Sequence, residues 1–308
     1  MDKQNISEPS GLLILHKPVG ITSHDAVYKI RRLFGTKRVG HTGTLDPLAE
    51  GVLVMLVGRA AKAAEYLVSD TKEYVATLRL GLTTDTEDIT GETLTRYEGE
   101  LPSADEVNTA VNSFLGESEQ IPPMYSALKV GGKKLCDLAR EGVVIERQPR
   151  PITVFEIEAT PTESECDYIL RVKCSSGTYI RTLCADIGKK LGVGGVMATL
   201  CRTQAGDFRL EDAYTLEALG DMTEEQRVAA LIPTEKLFDS LAAVKLPDFY
   251  YKLCRSGCEI YQKKIHTAHS VGERVRLCTP DGRFFALGEV REFPDGTAIK
   301  AIKTFELE

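Results

Sequence analysis

Apolar residues recur along the chain with two periods, and the switches between them outline its elements. Residues 12–15 form a short apolar run stopped by His16-Lys17-Pro18-Val19-Gly20, which predicts a strand and then a turn. Ala26, Val27, Ile30, Leu33 and Phe34 then fall at helical spacing, with Ser23 able to cap that helix and Gly35 to stop it. Lys29, Arg31 and Arg32 lie on its polar face. A loop dense in Gly, Thr and Pro follows, then an apolar strand over 52–57 and an Ala-rich helix over 59–68. Residues 72–80 alternate, with Tyr74, Ala76, Leu78 and Leu80 on one face. Residues 81–91 read as a polar loop. Ser103 and Glu106 make a capping box for a helix running to about Leu115.

The segment 121–150 has a different texture. Pro122-Pro123, Gly131-Gly132 and several lysines punctuate it, and it lacks apolar residues for a core of its own. It reads as a protruding arm with a short helix at 133–140. Strands are expected at 152–158 and 167–174, then a helix that opens within 175–182 and stops at Gly192, then a strand at 197–204. Arg181 falls near the positive end of that helix, a poor place for a cation without an anionic partner. Residues 211–240 are acidic and read as mostly helical, broken at Pro233. From Ala242 onward short alternating segments are divided by Pro280-Asp281-Gly282 and Pro294-Asp295-Gly296, which predicts a small β-rich unit. Two domains follow, 1–240 with its arm and 241–308.

Composition narrows the class. The 308 residues are 43% hydrophobic and 27% charged, as in soluble globular proteins. The polar N-terminus and the shortness of every apolar run predict neither signal peptide nor membrane span, hence a cytoplasmic protein. Eight scattered cysteines are expected to stay reduced. Cys254, Cys258, His266 and His269 are metal-capable, but their intervals are shorter than those of zinc signatures, so no metal site is expected. A net charge of −7 argues against nucleic acid as a partner. Its distribution argues the other way. Residues 26–45 carry five basic residues and no acid, and 129–150 are also basic, whereas 85–120 carry ten acids and one Arg.

The candidate chemistry centres on Asp46. Asp46-Pro47 alone reads as the start of a turn. A single carboxylate in a rigid Gly- and Pro-containing loop at the mouth of a strand is also a seat for catalysis. The wider pattern favours the second reading. Lys17-Pro18-x-Gly20-x-Thr22-Ser23 and Gly40-His41-x-Gly43-x-Leu45-Asp46-Pro47-x-Ala49-x-Gly51 are followed by Lys72-x-Tyr74 and Gly81-x2-Thr84-Asp85-Thr86-x-Asp88. Pro122-Pro123-x-Tyr125-Ser126-Ala127-x-Lys129, Gly177-Thr178-Tyr179-Ile180-Arg181-Thr182 and Leu200-x-Arg202-Thr203 come after them. In this order the motifs resemble the bacterial tRNA pseudouridine-55 synthase family over nearly the whole chain. The match departs from the usual family pattern at His16, at Val196 and at Cys201.

The resemblance implies an α/β (α+β) fold, a mixed, largely antiparallel sheet with flanking helices and a central RNA cleft, plus a small C-terminal β-rich PUA-like domain that binds RNA. It implies isomerisation of the T-loop uridine of tRNA to pseudouridine, without metal or organic cofactor, by a monomer that binds the T-arm. Asp46 becomes the essential carboxylate, Arg181 its partner that holds its pKa down, and Tyr74 the ring that stacks on a flipped base. His41 supports the flipped conformation, while Tyr179 and Leu200 line the uridine pocket. Lys17 and Lys129, with Arg31, Arg32, Lys133 and Lys134, are assigned to phosphate contact. A non-catalytic RNA-binding protein would have lost Asp46 or Tyr74. A glycoside hydrolase would need a second acid beside Asp46, with Asp85 and Asp88 as candidates.

Overall fold

The computed structural model describes residues 8–66 and 71–305. The chain runs through β1 (Gly11–Lys17), α1 (Ser23–Leu33), β2 (Val39–His41), β3 (Ala49–Val57) and a 3₁₀ stretch Gly58–Tyr66 to β4 (Thr71–Leu80). A hairpin of β5 (Leu82–Thr84) and β6 (Thr93–Arg96), helix α2 (Ala104–Asn112) and β7 (Gly116–Gln120) lead to the arm. The arm holds the hairpin β8 (Lys129–Val130) and β9 (Lys133–Lys134) and helix α3 (Leu135–Arg140). Then come β10 (Arg150–Pro161), β11 (Asp167–Ser175), α4 (Ile180–Leu191), β12 (Gly195–Ala205) and β13 (Phe208–Arg209).

Nine of these strands form one sheet in the order β1-β3-β12-β4-β11-β10-β7, with β2 on β3 and β13 on β12. Every pairing is antiparallel except β3 with β12, where Leu200 to Arg202 run parallel to Ala49 to Gly51. Gly51 makes that approach possible. It sits at φ 105°, and a Cβ there would lie 2.3 Å from the Arg202 carbonyl oxygen. Alternation places Leu13, Leu15, Leu53, Tyr74 and Leu78 in the core under α1, α2 and α4, while Leu12, Ile14, Val52 and Val54 pack on the other side.

The second sheet joins β14 (Ala243–Lys245), β15 (Ile260–Tyr261), β16 (Arg274–Cys278), β17 (Phe284–Phe293) and β18 (Gly296–Thr304) in the order β14-β16-β17-β18-β15. Its own core contains Val275, Leu277, Phe285 and Ile299. It is fastened to the large sheet's side by Phe238, Phe284 and Phe305, which pack with Ala63, and by Lys62 donating to the Thr304 carbonyl.

Several local expectations need correction. Thr22 rather than Ser23 caps α1, because Asp25, three residues on, returns the bond to Thr22 and closes a capping box. The Ala-rich segment winds as 3₁₀, burying Ala60 and Ala63 at its three-residue period, and its expected end at Val68 lies outside the described residues. The loop after Gly81 is a hairpin tied by the Thr83 and Thr95 hydroxyls at 2.7 Å. The arm helix begins only at Leu135, since Lys133 and Lys134 pair back onto β8. Residues 211–240 hold two six-residue helices, capped separately by Thr215 and Thr223, between 3₁₀ turns. Each new cap restarts the chain where one long helix was expected.

Candidate active site

Asp46 stands in the loop between β2 and β3, and hydrogen bonds fix that loop from several sides. The buried Ser23 hydroxyl accepts from the Leu45 N–H at 2.8 Å and donates to the Leu45 carbonyl at 3.0 Å. Gly20 N–H donates to the Pro47 carbonyl and Ala49 N–H to the Asp46 carbonyl. From β12 the Arg202 guanidinium donates to the Gly43 carbonyl at 3.0 Å and the Val52 carbonyl at 2.7 Å. Ser23 thus positions the residue preceding the carboxylate, and Arg202 ties the loop to the sheet.

Arg181, second residue of α4, is 5% exposed and meets Asp46 with its Nε 2.9 Å from Oδ2. Its Nη1 donates to the Thr86 carbonyl at 3.0 Å and lies 3.7 Å from Asp88 Oδ2, and its Nη2 donates to the Tyr125 carbonyl at 2.8 Å. The cation that a helix start disfavours is therefore compensated by two carboxylates and two carbonyls. Asp88 is itself held by the Thr86 and Thr90 hydroxyls and the Thr90 N–H. Its place behind Arg181 makes it part of the cation's support, and it offers no separate acid across a substrate from Asp46.

The direction of the Asp46 pKa shift differs from expectation. About a third of its side chain opens to the cleft, yet the walls exclude enough water that burial raises its pKa above the usual carboxylate range. Arg181 pulls it back, Asp88 adds to the rise, and the net direction is upward. Arg181 limits the shift without reversing it.

Tyr74 lies mid-strand in β4, buried, with its hydroxyl pKa raised by burial and partly drawn back by Arg202, which hydrogen-bonds it. Leu200 is buried across the strand pair from Ala76, in the same core as Tyr74. Tyr179 is the N-cap residue of α4, half-buried, its hydroxyl pKa raised by burial and drawn partly back by the nearby Ser126. Half-buried His41 ends β2 with Nδ1 unpartnered among the described residues, and burial with nearby Arg202 and His24 lowers its pKa, so the ring is neutral near pH 7. Asp46, Arg181 and the two tyrosines share one electrostatic neighbourhood.

Two lysines expected to contact phosphate fare differently. Lys129 is exposed on the arm's hairpin. Lys17 is wholly buried, its ammonium donating to the Pro18 and Ile21 carbonyls at 2.8 Å each, and burial lowers its pKa to about 8. It cannot meet a phosphate from there. It braces the turn that receives Pro47.

Gln120 escaped sequence reasoning. Buried at the end of β7, it accepts from the Tyr179 N–H at 2.8 Å and donates to the Tyr179 carbonyl at 3.0 Å. Tyr179 has no side-chain cap bond of its own, so Gln120 fixes the first turn of α4 and with it Arg181. No local signal marks a partner 59 positions away.

Residues 31–180 match the family described as TruB family pseudouridylate synthase (N terminal domain), and residues 181–239 the tRNA pseudouridylate synthase B C-terminal domain. A tRNA pseudouridine synthase B from Alkaliphilus oremlandii is 46% identical over 284 residues, covering 92% of this chain and 93% of that protein. The one from Bacillus subtilis is 42% identical over 286 residues, covering 90% and 92%. Among solved structures, a Cbf5-Nop10-Gar1 complex aligns with TM-score 0.66 and 28% identity over 96% of this chain and 85% of the matched one. An H/ACA RNP bound to a substrate RNA containing 2'-deoxyuridine aligns with TM-score 0.66 and 26% identity over 96% and 85%. Relatives alike over nine-tenths of their length, together with the family match over residues 31–180, place this chain in the TruB family of pseudouridine synthases, isomerases that form pseudouridine in tRNA.

Proposed function

We propose that the chain isomerises the T-loop uridine at tRNA position 55, with Asp46 as the carboxylate on which the bond exchange depends. The observation that carries this reading is the Asp46–Arg181 pair, a reactive carboxylate held in a cleft by a buried cation. The reaction breaks the bond from uracil N1 to ribose C1′, turns the base and joins C5 to C1′. The C5 proton leaves and N1 gains one, so no redox change or added group is required. Such chemistry calls for a nucleophilic or electrostatic carboxylate, proton transfer and tight positioning.

A uridine within a folded loop must leave its stack to reach Asp46. Tyr74, Tyr179 and Leu200 supply the apolar and aromatic walls for the extruded base, and the neutral ring of His41 supports the flipped strand. The basic arm closes over the stem, and the C-terminal sheet acts as a PUA-type RNA contact for a monomeric enzyme. RNA recognition of this kind reads shape and unstacked bases, so a local basic surface suffices in an acidic protein.

The test is tritium release to water from an unmodified tRNA transcript labelled at uridine C5. Release from position 55 by the wild-type protein, absent in Asp46→Ala, is the expected result. Binding without release by the wild-type protein would refute the reading.

A further inference from the structure

Lys72 is a charged group that the reading above leaves unused. It precedes Tyr74 by two residues in β4, so both side chains leave the same face, about 7 Å apart along the strand. Its ammonium reaches the Ser176 hydroxyl at 3.2 Å, in the turn between β11 and α4. On its other side lies the Asp46 loop, where a Cβ on Gly43 would stand 3.4 Å from the Lys72 nitrogen. Lys72 therefore occupies the seam between the segment that carries Asp46 and the segment that leads to Arg181.

Its partners do not balance its charge. No carboxylate among the described residues lies within ion-pair distance, and one hydroxyl serves an ammonium that can donate three bonds. The charged groups that face it are Arg202 from β12, which repels it, and Cys174 from β11, a thiol that burial pushes up to about 11 and keeps neutral. Lys17 makes the contrast, with two carbonyls bonded and the Asp46 and Glu50 charges nearby. A half-desolvated cation without an anion is unfavourable unless it loses its proton or an anion arrives with a ligand. Burial has already lowered the Lys72 pKa to about 8.

We propose that Lys72 and the Ser176 hydroxyl form a seat for one backbone phosphate of the RNA strand that carries the target uridine. The inference rests on the uridine reading above. A phosphate is the anion that every RNA strand brings with it, and an ammonium suits it as a point charge while the hydroxyl offers a second donor. Two residues beyond Tyr74, the site reaches past the ring that meets the base. Occupation restores the full charge of Lys72, so RNA binding takes up a proton above pH 8. Affinity then falls as pH rises from about 8 toward 10. Cys174, pushed up to about 11, stays neutral over most of that range and does not produce the slope. Lys17 also has a pKa near 8, but it donates to carbonyls elsewhere, and its contribution is common to all Lys72 variants.

The experiment measures dissociation constants for an unmodified tRNA transcript from pH 7 to 9.5, using the wild-type protein, Lys72→Met and Lys72→Arg. Lys72→Met should weaken binding roughly tenfold at pH 7 and show a smaller rise in dissociation constant toward pH 9.5. Lys72→Arg should retain affinity at pH 7 and show the same flattened profile. A scan of a T-arm hairpin with single methylphosphonates should find one linkage near the target uridine whose neutralisation costs the wild-type protein roughly tenfold and Lys72→Met nothing more. Unchanged affinity in Lys72→Met, or methylphosphonate effects equal in both proteins at every linkage, overturns the proposal. If Lys72→Met fails to fold, Lys72→Gln, which also removes the charge, takes its place in both measurements with the same outcomes deciding. Wild-type tritium release is measured on the same samples. Its failure with binding intact would remove the uridine reading and leave the phosphate seat to stand on the binding data.

Discussion

The cleft and the C-terminal sheet handle charge in opposite ways. In the cleft, Arg181, Asp88, Lys17 and Arg202 are buried, and bonds to fixed carbonyls, hydroxyls or carboxylates hold them. In the C-terminal unit the core is apolar, and Arg283–Asp281, Arg291–Glu289 and Lys300–Glu259 stay at the surface. Exposed pairs of this kind contribute little to stability, whereas a buried charge is strongly disfavoured once its partner is removed. Of the five buried charged side chains among the described residues, four gather at the cleft and the fifth, Asp167, pairs with Arg79 on the large sheet, while the small sheet has none.

Substitutions should divide along the same line. Asp46→Ala removes the group proposed to react, and turnover should fall on the order of 10⁴-fold while the dissociation constant for tRNA changes only a few-fold, measured by tritium release and filter binding. Arg181→Ala should lower kcat roughly 10³-fold. It should also move the acid limb of the kcat profile to higher pH. The sign follows from burial raising the Asp46 pKa and Arg181 opposing the rise, so its removal leaves burial unopposed. An acid limb that moves down would refute this account.

Gln120→Ala orphans the N–H and carbonyl of Tyr179 without touching the cleft. A drop of about tenfold in kcat at nearly constant KM is expected, with Gln120→Glu between the two because it keeps the acceptor. Equal losses in kcat/KM and thermal stability, with kcat itself unchanged, would reduce Gln120 to a structural brace. Lys17→Met should cost about 2 kcal/mol of unfolding free energy and leave the salt dependence of RNA binding unaltered. Lys129→Ala should do the reverse, lowering the salt slope by about one with no change in stability. At the small end, Lys303→Ala, which breaks a surface pair with Glu65, should leave both the unfolding midpoint and activity unchanged.

Sequence pattern carried the strands well, since alternation such as that of Tyr74, Ala76, Leu78 and Leu80 is a local property. The stop of α4 at Gly192 was equally local, a glycine at φ 77°. Less was legible where a partner is distant. Gln120 and Arg202 act on residues 59 and 150 or more positions away, and no window of sequence holds both ends of such a bond. Lys17 looked like a phosphate ligand because its charge is visible in sequence and its burial is not. The direction of the Asp46 shift was missed for a related reason. A cation partner could be inferred from the Arg181 motif, but the water-excluding walls around the carboxylate arise only when β3, β4, β12 and α4 come together.

The one parallel strand pairing among the described residues of the large sheet has a consequence for synthesis. Ala49 to Gly51 pair with Leu200 to Arg202, and the Arg202 bonds to Val52 and Gly43 span 150 or more residues. Contacts of such separation are slow to close and form after local structure. A chain emerging from the ribosome at about 5–20 residues per second thus carries its Asp46 loop for roughly 8–30 s before Arg202 exists to tie it. During that interval the nascent chain carries the Asp46 loop untied, and the cleft closes only when most of the protein has left the ribosome.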